Sequence, residues 1–181
     1  MTMQKAVALA HLRVAYGPGD DDDEEVVSTP AQPVTAPRLL PVPSAWWDTS
    51  AVTSRPLSPV PEEARNARQF VRELLACWGL AELSDDAEVI IGELVVNAVR
   101  HGLRTVPSQS PAALRLCMLR RAGEVMLAVT DPSNEGPRPR QPDWAGESGR
   151  GLQIVGALSD VWGWSPIDGH GKAVWAVLRN P

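Results

Sequence analysis

The chain has 181 residues and a formal net charge of -5, enough for one ordinary globular domain with a tail but little room for two. That charge excludes the broad basic surface of a nonspecific nucleic-acid binder, which needs clustered Lys and Arg to neutralise phosphates, so no direct nucleic-acid partner is expected. No apolar run approaches the roughly 20 residues of a membrane span, and the opening MTMQKAVALAHL is short and lacks a small-residue cleavage site, so a soluble cytoplasmic protein with no membrane partner is expected.

Residues 1–58 differ in composition from the rest. An acidic run from Asp20 to Glu25 precedes a stretch punctuated by Pro30, Pro33, Pro37, Pro41, Pro43, Pro56 and Pro59. Repelling charges and repeated prolines oppose both helix and sheet ladder, which predicts a disordered Pro-rich acidic tail over 1–58 and a folded domain over 59–181. The alternative is that LLPVPSAWW, with Trp46 adjacent to Trp47, docks onto the domain or a partner, because paired indoles are costly to leave in water.

From Pro61 onward Ala67, Phe70, Val71, Leu74, Leu75 and Trp78 share one helical face, and Gly79 supplies the stop. A second helix is expected from about Ser84 or Asp85, with a capping residue and acids at its positive end, through to His101, with Gly102 ending it. Residues 113–120 and 124–130 read as a hairpin turning near Ala122 and Gly123. A long loop from Asn134 to Ser148 leads into a third helix over 152–160, and strands follow at 161–165 and 173–178. Cys77 and Cys117 lie far apart in apolar segments, and both read as buried free thiols suited to a reducing compartment.

Three stretches carry chemistry. In GELVVNAVRHG the residues Glu93, Asn97 and His101 recur at steps of four on an otherwise apolar helix. A carboxylate and an amide one turn apart can hold a hydrated Mg²⁺ and accept a proton, although an exposed stripe on an amphipathic helix gives the same spacing. In AVTDPSN, Asp131 ends a strand, where its carboxylate can accept a hydrogen bond from the exocyclic amine of adenine or merely form the turn. In GESGRGLQIV, Gly146, Gly149 and Gly151 surround a helix start whose exposed amides and dipole suit a phosphate, with Arg150 placed to assist. Glycine-rich helix starts are common, and this one is neither a P-loop nor a dinucleotide fingerprint.

Taken in order and spacing, these stretches resemble the Bergerat-fold ATPases, the superfamily of gyrase, the heat-shock chaperone, histidine kinases and the mismatch-repair ATPase. Within it the chain is most similar to short actinobacterial anti-sigma regulatory factors related to sporulation and stress-response serine kinases. ELVVNAVRHG matches the N box, VTDPSN the first glycine box in reduced form, ESGRGLQIV the second and GHGKAVWAVL the closing strand, over roughly residues 58–179.

The resemblance implies an α/β two-layer sandwich, a mixed and mainly antiparallel sheet covered on one face by about three helices. It implies ATP and Mg²⁺ as cofactors, Glu93 as the catalytic or water-orienting base and Asn97 as the Mg²⁺ ligand. Asp131 is then the adenine contact, and Gly149, Arg150, Gly151 and Leu152 the phosphate cradle. A serine/threonine kinase acting on an antagonist protein and controlling transcription is one implied activity, and a non-catalytic nucleotide-sensing module that sequesters a sigma factor is the other. The implied partners are a sigma factor, an anti-anti-sigma antagonist, or both, and relatives often form homodimers. The sequence departs from the family pattern at two places. Ser133 and Glu135 replace the glycines of a DxGxG, which implies a stiffer loop, and Ala173 stands where relatives usually place a Thr that joins Asp and adenine through a water.

Overall fold

The structure is a computed structural model that describes residues 40, 42–43, 46, 51–60, 62–102, 114–137, 150–167 and 171–180. Among these residues five strands form one sheet in the order β1-β2-β3-β5-β4: β1 is Ala51–Pro56, β2 Arg115–Arg121, β3 Glu124–Asp131, β4 Val161–Ile167 and β5 Gly171–Arg179. All four pairings are antiparallel, so the sheet expected to be mainly antiparallel is antiparallel throughout. Three α-helices among the described residues, α1 (Glu63–Trp78), α2 (Ser84–Asn97) and α3 (Gly151–Leu158), complete the two-layer α/β sandwich.

Each helix forms for a local reason. In α1 the buried Ala67, Val71 and Leu75 recur every fourth residue, and Gly79 closes the helix at φ 71° with its N–H donating to the Ala76 carbonyl. The same stripe explains why Cys77 is exposed rather than buried as expected: it lies two positions past Leu75, on the opposite side. Cys117 alternates into the sheet and is buried, and burial pushes its thiol up to about 12.

Helix α2 begins at Ser84, as expected, but without the expected side-chain cap, and it ends earlier than expected. It grows directly out of a 3₁₀ turn over Ala81–Leu83, so Ser84 is already helical and no side chain caps the start, while Asp85 and Asp86 in the first turn complement its dipole. At the far end the α-helix stops at Asn97 and widens into a π turn over Ala98–Gly102. Gly102 is driven against Asp131 so closely that a β-carbon there would overlap the Asp131 side chain, and the wide turn is what carries the chain to that contact.

Alternation along the strands builds two cores. Leu116, Met118, Leu127, Val129, Val174 and Ala176 face the helices and pack on Val71, Leu75, Ile90, Ile91 and Leu94. Cys117, Leu119, Met126, Ala128, Trp175 and Val177 face the other way and pack on Val42 and Trp46, with Leu40 partly buried beside them.

Two features fall inside the segment expected to be an unstructured tail ending at residue 58. Strand β1 pairs with β2 from Ala51↔Arg120 to Pro56↔Arg115. Its β-branched Val52 and Thr53 suit a strand, and Pro56 sits at the end of an edge strand, where a missing N–H does no harm. The Leu40 N–H donates to the Trp164 carbonyl at 3.0 Å, and the Ser165 hydroxyl donates to the Leu40 carbonyl at 2.7 Å, fixing this segment to β4. The docking alternative for LLPVPSAWW therefore holds at Leu40, Val42 and Trp46, whereas residues 1–39, with the acidic run, and Trp47 lie outside the described residues.

Candidate functional site

Helix α2 is apolar on most of its surface, with Ile90, Ile91, Leu94 and Val95 buried. Glu93 and Asn97 are the polar exceptions at its C-terminal half, one turn apart and half-buried. Both point toward the first residue of α3. A β-carbon on Gly151 would overlap Glu93 Oε2 and would lie 3.7 Å from Asn97 Nδ2, so a larger residue there would displace the Glu93 carboxylate. The N box and the second glycine box, more than fifty residues apart in sequence, are thus brought into contact by tertiary packing.

Arg150 is exposed at the N-terminal boundary of α3, and its carbonyl accepts the Ile154 N–H at 3.0 Å. Leu152 is half-buried against the helical core, and Val155 is fully buried. Gly149 lies outside the described residues. His101 falls on the π turn and is exposed, so it leaves the regular stripe that Glu93 and Asn97 share, although it lies near enough to Asp131 to favour the carboxylate when protonated.

Asp131 ends β3 on the helical face of the sheet and is buried. Its Oδ1 accepts the Ser133 N–H at 2.9 Å and the Lys172 Nζ at 2.8 Å, and the Lys172 side chain is buried as well. Lys172 also donates to the Ser133 carbonyl at 3.3 Å. Desolvation raises the Asp131 carboxyl above the usual carboxylate range, and the opposing pull of Lys172, the Ser133 N–H and His101 does not cancel it. The Glu135 N–H donates to the Ser133 hydroxyl at 3.2 Å. Of the two residues standing in place of glycines, Ser133 adds a hydroxyl that ties the loop to the Glu135 backbone, while Glu135 takes part through a backbone N–H that glycine would also supply.

The register of β5 corrects one sequence-based inference. Asp131 is paired with Lys172, and Ala173 is paired with Thr130. Because side chains alternate, Ala173 points into the outer core with Trp175, away from Asp131, while Lys172 points at the carboxylate. No hydroxyl is lost from the site at Ala173. The residue that reaches Asp131 is Lys172, and sequence reasoning missed it. The available signal was composition: the chain has only two lysines, Lys5 and Lys172, among its 17 basic residues.

The donor set suits a metal-bound nucleotide. Asn97 Nδ2 is buried without a hydrogen-bond partner, and a half-turn of the amide would present its oxygen, a hard ligand, at the same place. Among the described residues no three His, Cys, Asp or Glu side chains cluster as a metal cage. Mg²⁺ characteristically takes one or two protein ligands and completes its shell from phosphates and water. Elsewhere, Arg65, Arg68 and Arg72 line a shallow groove of about 290 Å³ with Glu73 and Glu88. Arg72 is ion-paired with Glu88, so this face is partly neutralised.

The chain belongs to the histidine kinase-like ATPase domain family, whose model matches residues 57–178. Among solved structures it is similar to the RsbU and RsbW domains of Rv1364c from Mycobacterium tuberculosis, with a TM-score of 0.52 and 22% identity over 72% of this chain. The match spans 32% of that longer chain, so the likeness is one of fold. No curated protein matches the sequence significantly.

Proposed function

We propose that the chain binds ATP with Mg²⁺ and acts as an anti-sigma-type regulator that phosphorylates an antagonist protein on serine or threonine, controlling transcription during sporulation or stress. The observation that carries this reading is the meeting of Glu93 and Asn97 with Gly151 at the start of α3, next to a buried amide without a partner. Asn97 would hold the metal, and Glu93 would take the proton of the acceptor hydroxyl. Asp131 would accept the adenine amine, and Gly149, Arg150, Gly151 and Leu152 would contact the phosphates through backbone N–H groups and the guanidinium. Bound Mg²⁺ neutralises triphosphate charge, and the protein's own share of catalysis is positioning. Family membership and the RsbW-containing neighbour support a regulator whose partners are a sigma factor, an antagonist, or both.

Calorimetry with Mg-ATP should give binding heat for wild type and at least about tenfold weaker binding for Asn97→Ala, the size of one lost metal ligand or charged hydrogen bond. Absence of heat and of any thermal shift with wild type refutes the reading. A second reading, a nucleotide-sensing module without phosphoryl transfer, draws support from the braced Asp131 loop. Incubation with labelled ATP and the cognate antagonist separates the two: phosphoserine or phosphothreonine supports the kinase, and a stable complex without transfer supports the module.

A further inference from the structure

We infer that Lys172 is a base-reading residue, forming with Asp131 a paired donor and acceptor that recognises the adenine edge directly. The inference rests on the nucleotide-binding reading above and adds to it the residue that sets base specificity.

A carboxylate alone can only accept hydrogen bonds, so it registers the amine of adenine and nothing of the neighbouring ring nitrogen. Here the carboxylate is not alone. Lys172 stands directly across β3 and β5 from Asp131, and their side chains meet at 2.8 Å on the helical face. Both are buried, and Gly102 packs so closely on Asp131 that a β-carbon there would overlap the carboxylate. An ammonium has three N–H donors. Among the described residues two are spent, on Asp131 Oδ1 and on the Ser133 carbonyl, which leaves a third beside the carboxylate.

Adenine presents a donor, its exocyclic amine, next to an acceptor, N1. An acceptor and a donor held side by side match that edge without an intervening water. The choice of lysine fits this role. Basic residues in this chain are otherwise almost all arginine, and an ammonium is a compact point donor on a flexible stem, whereas a guanidinium is a planar, rigid fork. Simple neutralisation of Asp131 would explain the ion pair but predicts no sensitivity to N1 of the base.

The test uses the 181-residue chain labelled with ¹⁵N-lysine, in which only Lys5 and Lys172 report, and titrates it with Mg-ATP, Mg-1-deaza-ATP and Mg-GTP. In 1-deaza-ATP a C–H replaces N1 and the amine is kept. Wild type should bind ATP about tenfold or more tightly than 1-deaza-ATP, the value of one hydrogen bond to a charged group. The Lys172 ammonium signal, assigned by its loss in Lys172→Arg, should shift with ATP and stay in place with 1-deaza-ATP. Lys172→Met should bind ATP and 1-deaza-ATP equally, and if that variant fails to fold, the wild-type comparison decides alone. Equal wild-type affinity for ATP and 1-deaza-ATP, or an unmoved Lys172 signal on ATP saturation, overturns the inference while leaving nucleotide binding intact. Tighter binding of GTP than of ATP overturns the adenine assignment. Failure of wild type to bind any of the three nucleotides refutes the underlying functional reading instead.

Discussion

The two faces of the sheet use the same strands for different ends. On the helical face, apolar side chains from β2, β3 and β5 pack on α1 and α2, and at one end the pattern breaks for the buried pair Asp131 and Lys172. On the opposite face the strands' buried side chains carry no charge among the described residues, and the cover is a Pro-containing segment represented by Leu40, Val42 and Trp46. One face combines a core with a candidate site; the other holds a core and the hydrogen bonds that fix its covering segment. A single residue of register separates the two, which is why Lys172 belongs to the site and Ala173 to the outer core.

The largest expected effect tests the outer face. Trp46 is 3% exposed, so Trp46→Ala should lower unfolding free energy by about 3–5 kcal/mol, the usual cost of truncating a buried Trp. The readout is the urea midpoint. An unchanged midpoint would mean the segment does not cover the sheet in solution, and the comparison between two packed faces would collapse.

The helical face should respond to charge where the outer face responds to volume. Lys172→Met leaves a buried carboxylate unpaired, and at pH 7 it should cost about 3 kcal/mol or more. Burial already raises the Asp131 carboxyl, and losing Lys172 removes the chief opposing influence, so the group rises further. A raised folded-state pKa means that the stability linked to this group is fully present below the unfolded value of about 4 and is lost as pH climbs through the folded value. The deficit of Lys172→Met against wild type should therefore be small near pH 4 and widen toward pH 7 in denaturation series. A deficit of constant size across that range would show that Asp131 is not the group left behind, whereas Asn at 131 in the double variant should remove the pH dependence.

The smallest effect sharpens the comparison without changing stability. Native protein should react with a thiol reagent at Cys77 alone, because Cys117 is buried in the outer core with its thiol pushed up to about 12. Denaturation should release the second equivalent. Two fast equivalents in the native state would mean that the outer core opens readily.

Much of the helical face was legible in the chain because its signals are local. The stripe of α1, the stop at Gly79, the hairpin around Gly123 at φ 74° and the start of α3 all follow from short-range periodicity and glycine stereochemistry. Glu93 and Asn97 stood out because polar residues one turn apart are conspicuous on an apolar helix. What eluded sequence reasoning was non-local. Strand β1 looked like tail because it lies among prolines, and only pairing with β2, more than sixty residues later, makes it a strand.

Sequence by itself thus determined the three helices and the strands β2 to β5, and which side chains on α2 stand out as polar, since backbone geometry fixes those patterns within a turn or two. Tertiary structure alone decided that the π turn brings Gly102 to Asp131, that Glu93 and Asn97 meet Gly151, and that Lys172 rather than Ala173 faces the carboxylate. These depend on strand register and on the approach of distant backbones, quantities set by the packing of the whole sheet and invisible to any local window.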